Sequence, residues 1–202
     1  MWASVREAVA ILVGGNLGEI GFILGGTLLG GRSPLNARQL LLVNLLTDVA
    51  AAMAIALRPP ARISPERLLR EGPEASLGAP LTRSLGWRAA MTASGASGAW
   101  LAARGTGTRA HADTTALVAL VGSQLGQTLV AGGRDPVVAL TALGSAAALA
   151  AIIQTPDVSQ LFGCRPLGPT GWGIGAAASA IATAGSVILP RATRGSRPPE
   201  RS

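Results

Sequence analysis

The sequence predicts an all-α fold, a polytopic membrane bundle of six transmembrane helices with both termini in the cytoplasm. Three observations carry that expectation. Only 13% of the 202 residues are charged while 49% are hydrophobic, about half the charged share of a soluble globular domain. The apolar residues fall in blocks of roughly 20, the length a helix needs to cross the hydrocarbon core. The 17 basic residues are all arginines, and they gather at and between those blocks, as basic residues do in membrane topology. A net charge of +7 therefore reads as flanking charge, and no nucleic-acid partner is expected.

In chain order the blocks predict spans over 8–29, 39–57, 85–103, 113–131, 136–153 and 171–189. The first keeps Glu19 inside it and Glu7 before it, which spoils a cleavable signal and predicts a retained helix. The third and fourth are diluted by Gly, Ser and Thr. Twelve arginines (Arg6, Arg58, Arg62, Arg67, Arg70, Arg83, Arg88, Arg134, Arg191, Arg194, Arg197 and Arg201) fall on one side and five (Arg32, Arg38, Arg104, Arg109 and Arg165) on the other. The positive-inside rule puts the richer side, with both termini, in the cytoplasm. Between the second and third spans, Ser64, Pro65 and Gly72 in "ISPERLLREG" predict a short surface helix. Residues 1–190 read as one membrane domain and residues 191–202, "RATRGSRPPERS", as a disordered cytoplasmic tail. Trp2, Trp87, Trp100 and Trp172 fall near span ends, as interfacial anchors do. Cys164 is the only cysteine, which excludes an internal disulfide. His111, Asp135 and Asp157 read as solvated loop residues.

Polar groups inside the apolar blocks raise the functional question. A charge near the bilayer centre costs on the order of 3 kcal/mol on insertion scales, yet Glu19 and Asp48 sit in the first two spans. Asn16 precedes Glu19 by three residues, and Asn44, Thr47 and Asp48 are spaced i, i+3, i+4, each set on one helical face. If the faces meet, two carboxylates, two amides and a hydroxyl converge. Such oxygen donors suit Ca2+, Mg2+, Mn2+ or an alkali cation rather than Zn2+ or Cu+. Hydrogen-bonded glue between helices is the alternative for the amides and the hydroxyl. A proton relay is a second alternative for the carboxylates.

With those residues in view, "NLGEI", "PLNARQLLLVNLLTD" and "ALRPP" resemble the fifth and sixth transmembrane helices of P-type cation-transporting ATPases of the calcium-pump class. The later spans resemble helices seven to ten, with "TPDVSQLFGCRPLGPTGW" between the last two. The resemblance implies that Asn16, Glu19, Asn44, Thr47 and Asp48 are cation ligands, and it aligns Gln124 with an acidic ligand of the eighth helix. A neutral amide at Gln124, and Ala51 and Ala52 where the family tends to carry proline, are departures from the pattern. The phosphorylated DKTG motif is absent, so no ATP site and no ATPase activity are expected from this chain alone. The implied function is a membrane cation-transport domain in the bacterial plasma membrane. Its partners would be the lipid bilayer and the N-terminal part of the pump, in cis or as a separate subunit in trans. Met1, a few residues before the first span, leaves room for a non-catalytic truncated or accessory protein. A proton-coupled secondary transporter is the weaker alternative, since no inverted repeat is visible.

Overall fold

A computed structural model describes residues 2–56 and 78–195, all of whose regular structure is helical. Seven helices follow one another: α1 (Trp2–Gly30), α2 (Ala37–Ala56), α3 (Ala79–Arg104), α4 (Arg109–Gly132), α5 (Pro136–Gln154), the short α6 (Pro156–Leu161) and α7 (Pro169–Gly195). The segment expected to form the "ISPERLLREG" helix lies outside the described residues. So does the tail beyond Gly195, while α7 itself continues past residue 190.

The helix boundaries follow from local chemistry. Gly31, at φ 73°, ends α1, and its N–H caps the Thr27 carbonyl at 2.9 Å, a left-handed stop that glycine adopts without a Cβ clash. Asn36 opens α2 through a reciprocal pair: its Oδ1 accepts from the Gln39 N–H at 2.9 Å, and its own N–H donates to Gln39 Oε1 at 2.9 Å. That is a capping box built from Asn and Gln. Asp135 accepts from the Val137 N–H at 2.9 Å at the start of α5, with Pro136 in the first turn. Asp135 is thus a cap rather than a merely solvated loop residue. Sequence periodicity did not reveal α6, six residues long, because so short a turn leaves no repeat.

Among the described residues four helical stretches are both long and apolar enough to cross a membrane: Val9–Gly30, Arg109–Gly132, Pro136–Gln154 and Pro169–Ile188. α3 has the length, 26 residues, but Arg83, Arg88 and its Ser, Thr and Gly residues dilute it. α2, at 20 residues, rises about 30 Å at 1.5 Å per residue.

α4 is the central helix, packed against α1, α2, α3, α5 and α7. Its Leu117, Leu120 and Val121 are fully buried with Phe22 of α1, Val43 of α2 and Ile153 of α5. Small residues set the helix spacing. A Cβ on Gly18 would come within 2.7 Å of Thr92 Cβ, so α1 approaches α3 only because that position is bare. Trp100, expected as an interfacial anchor, is instead buried, and its indole N–H donates to Asp113 Oδ1 at 2.8 Å. α1 packs chiefly on α3 and touches α2 and α4 only lightly, while α2 leans on α4 and α5. The opening between α1, α2 and α4 holds the polar residues.

Candidate cation site

α1, α2 and α4 meet around a small cleft. Gly15 lines it from α1, Thr47 and Asp48 from α2, and Gln124, Gln127 and Thr128 from α4. It has room for about one water-sized occupant. Glycine at position 15 is what admits the α4 side chain, since a Cβ there would lie 2.8 Å from Gln124 Oε1.

Glu19, Thr47 and Gln124 are all buried, while Asn44 and Asp48 are half-buried. Thr47, Asp48 and Gln124 line the cleft, whereas Glu19 and Asn44 are not among its lining residues. Among the described residues three buried polar atoms have no hydrogen-bond partner: Glu19 Oε2, Asn44 Oδ1 and Gln124 Nε2. All three belong to residues that the sequence marks as ligands. Leaving a buried polar atom unpaired costs about 1–3 kcal/mol, more when it is charged. Native proteins satisfy nearly all such groups. The Gln124 amide presents nitrogen or oxygen by a half-turn of its terminal group, so it too supplies an oxygen once flipped. Thr47 donates its hydroxyl proton to the Val43 carbonyl at 2.9 Å, which leaves an oxygen lone pair for a cation.

Asn16 behaves differently. It is exposed and lies on the stripe of α1 that carries the exposed Val13, Leu17, Ile20 and Leu24. Three residues along a helix turn the side chain by about 60°, and here that is enough to put Glu19 inside and Asn16 outside the bundle. Gln127, three residues after Gln124, shares its helical face in sequence, with a weak ligand role or helix–helix contact as the two readings, whereas Thr128 has no expected role; both line the cleft. Gln127 also donates to Thr92 Oγ1 of α3 at 3.0 Å in the buried interior. Their i, i+3, i+4 spacing after Gln124 is the available sequence signal.

Among the described residues no group of three or more His, Cys, Asp and Glu side chains comes together as a metal cluster. The donor set is two carboxylates with neutral oxygens, which suits a hard cation with an oxygen shell and offers a soft metal no thiolate or imidazole. Cys164 is remote from it: the thiol is buried, 3.5 Å from the Gln39 amide. Burial pushes it above the ordinary thiol range, with the Gln39 hydrogen bond acting in the opposite direction, so it is an unreactive structural cysteine.

Comparison with known proteins fits this arrangement. Residues 32–189 match the family described as cation transporting ATPase, C-terminus. The chain is 47% identical over 210 residues to a probable cation-transporting ATPase I of Mycobacterium leprae (strain TN), covering 95% of this chain and 13% of that protein. It is 48% identical over 210 residues to the protein of the same description from Mycobacterium tuberculosis (strain CDC 1551 / Oshkosh), with the same 95% and 13% coverage. The chain thus spans about an eighth of the length of these relatives. α1 lies ahead of the matched family region, but the full-length alignments take in most of it.

Proposed function

This chain belongs to the cation-transporting ATPase family, as its C-terminal membrane region, and from that premise we propose that it forms the half of a transport site that binds a hard cation near the bilayer midplane. The observation that carries the reading is the coincidence of the three orphaned polar atoms, on Glu19, Asn44 and Gln124, with the residues marked as ligands. Glu19 and Asp48 supply negative charge. The Asn44 and Gln124 amides and the Thr47 hydroxyl complete part of the oxygen shell, with Gln127 and Thr128 beside them. A cation bound beside them would turn the cost of the Glu19 and Asn44 orphan oxygens into ligand bonds, and a flipped Gln124 amide would add a third oxygen.

In this reading α1 to α5 and α7 all cross the bacterial plasma membrane, with both termini in the cytoplasm. The rest of the pump, in cis or in trans, hydrolyses ATP and switches access to the site. The exposed face of α1 supports a further protein element there. An amide exposed to hydrocarbon lacks a partner and costs on the order of a few kcal/mol, so Asn16 belongs against another helix of the pump.

Equilibrium binding of radioactive Mn2+ to the purified chain in neutral detergent tests the proposal. We expect saturable binding near one cation per chain, displaced by Ca2+ or Mg2+ and not by Cu+. Displacement by Cu+ alone, or uptake that never saturates, would contradict a hard-cation site.

A further inference from the structure

A second polar cleft lies where α1 ends and α4 begins, lined by Gly30, Arg32, Trp100, Arg104, Arg109 and Asp113. Three guanidinium groups share it with one carboxylate. That carboxylate is already committed: Asp113 Oδ2 accepts from Arg32 at 2.8 Å and Oδ1 from the Trp100 indole at 2.8 Å. Asp113 is buried while the Arg32 side chain is 56% exposed, so the acid sits beneath and the positive groups face outward. The Arg104 guanidinium stacks over the Trp100 ring, 4.5 Å from its centroid. That cation–π contact fixes its position in advance. Gly30 makes room for the ring, since a Cβ there would come within 2.9 Å of Trp100 Cη2. Arg109 opens α4 and adds its charge to the positive end of that helix.

Three like charges held around one rim repel each other unless an anion joins them, and Asp113 offsets only one. The rim also has a defined depth. Gly30 is the last residue of one membrane-length stretch and Arg109 the first of another, so the cleft opens at the boundary between hydrocarbon and water. We infer that Arg32, Arg104 and Arg109, seated on Trp100 and Asp113, form a binding site for a phosphate-bearing anion at the membrane surface. The planar guanidinium fork matches phosphate oxygens better than an ammonium does. The phosphate comes either from an anionic lipid headgroup or from solution, and the same three arginines would hold it.

The test uses the full chain, delipidated in neutral detergent, with tryptophan fluorescence as the readout. The added ligands are the anionic short-chain phosphatidylglycerol, the zwitterionic short-chain phosphatidylcholine and inorganic phosphate, each titrated separately. Saturable quenching or enhancement is expected, with phosphatidylglycerol binding more tightly than phosphatidylcholine. Arg104→Gln combined with Arg109→Gln weakens it at least about tenfold. The single Arg109→Gln change, at an exposed side chain that leaves the Trp100–Asp113 bond in place, weakens it several-fold. Arg134→Gln, in the turn at the opposite end of α4, leaves it unchanged. Binding of phosphatidylglycerol without inorganic phosphate assigns a lipid headgroup, and comparable binding of inorganic phosphate assigns a soluble source; both support the site. No saturable response to any of the three, unchanged binding in the double variant, or equal weakening by Arg134→Gln would overturn it.

Discussion

Replacing Glu19 by Gln or Asp48 by Asn lowers cation affinity about a hundredfold, equivalent to ~2.7 kcal/mol, and the double variant binds no cation measurably. Asp48 is the one charged residue that lines the cleft, Glu19 is buried nearby on α1 with an unpartnered oxygen, and affinity in oxygen-ligand sites follows ligand charge closely. The same variants carry a second signature that helix glue would not produce. Glu19 Oε2 is buried without a partner, so the parent bundle bears a desolvation cost that a neutral amide reduces. Thermal unfolding in detergent without cation should therefore occur at the same or a higher temperature in Glu19→Gln than in the parent. Adding cation at about 100 times its Kd should stabilise the parent by ~2.7 kcal/mol and leave the variant unmoved. Were Glu19 merely bonding helices together, the variant would unfold earlier and both proteins would ignore the cation.

Leucine at Gly122 and Gly126 should loosen α7 from α4. A Cβ on Gly122 would collide with Ser179 of α7, and one on Gly126 with Thr183. The interlock runs both ways, because a Cβ on Gly175 of α7 would meet Val118 Cγ1 of α4 at 2.7 Å. Ser179 also donates across the interface to the Ala119 carbonyl at 3.3 Å. Within a membrane such close backbone packing is a main source of helix association. Overpacking typically costs about 1–3 kcal/mol per site, so the pair should cost roughly twice that range in denaturant unfolding. Gly144 of α5 is the contrast. Nothing lies within 4 Å of its added Cβ, and Gly144→Ala should stabilise by about 0.5–1 kcal/mol through helix propensity alone.

Composition was enough to expect helices and a membrane, and the apolar blocks place the long helices well. Which face of α1 turns inward was not legible. Its residues are apolar on every side, so no amphipathic stripe orients it, and Asn16 and Glu19 looked equivalent until α3 and α4 were packed against it. On α2, Thr47 and Asp48 reach the cleft together, while Asn44, one turn earlier, is half-buried and does not line it. Asp113 illustrates the opposite limit. Beside His111 in sequence it looks like a loop residue, yet its partner Arg32 lies 81 residues away, a pairing that only the closed bundle reveals. Trp100 is buried for the same reason. Its position near a helix end suggests an interfacial anchor, and the carboxylate that draws its indole inward belongs to another helix.

In the proposed site one hard cation is held between α1 and α2, by Glu19, Asn44 and Asp48. Crystals grown with Mn2+ and measured at its absorption edge test it most directly. One anomalous peak is expected between α1 and α2, within roughly 2.0–2.6 Å of oxygens from Glu19, Asn44 and Asp48, absent in the Glu19→Gln, Asp48→Asn double variant. A bound Mn2+ that sits elsewhere in the bundle, or that persists in the double variant, would contradict it.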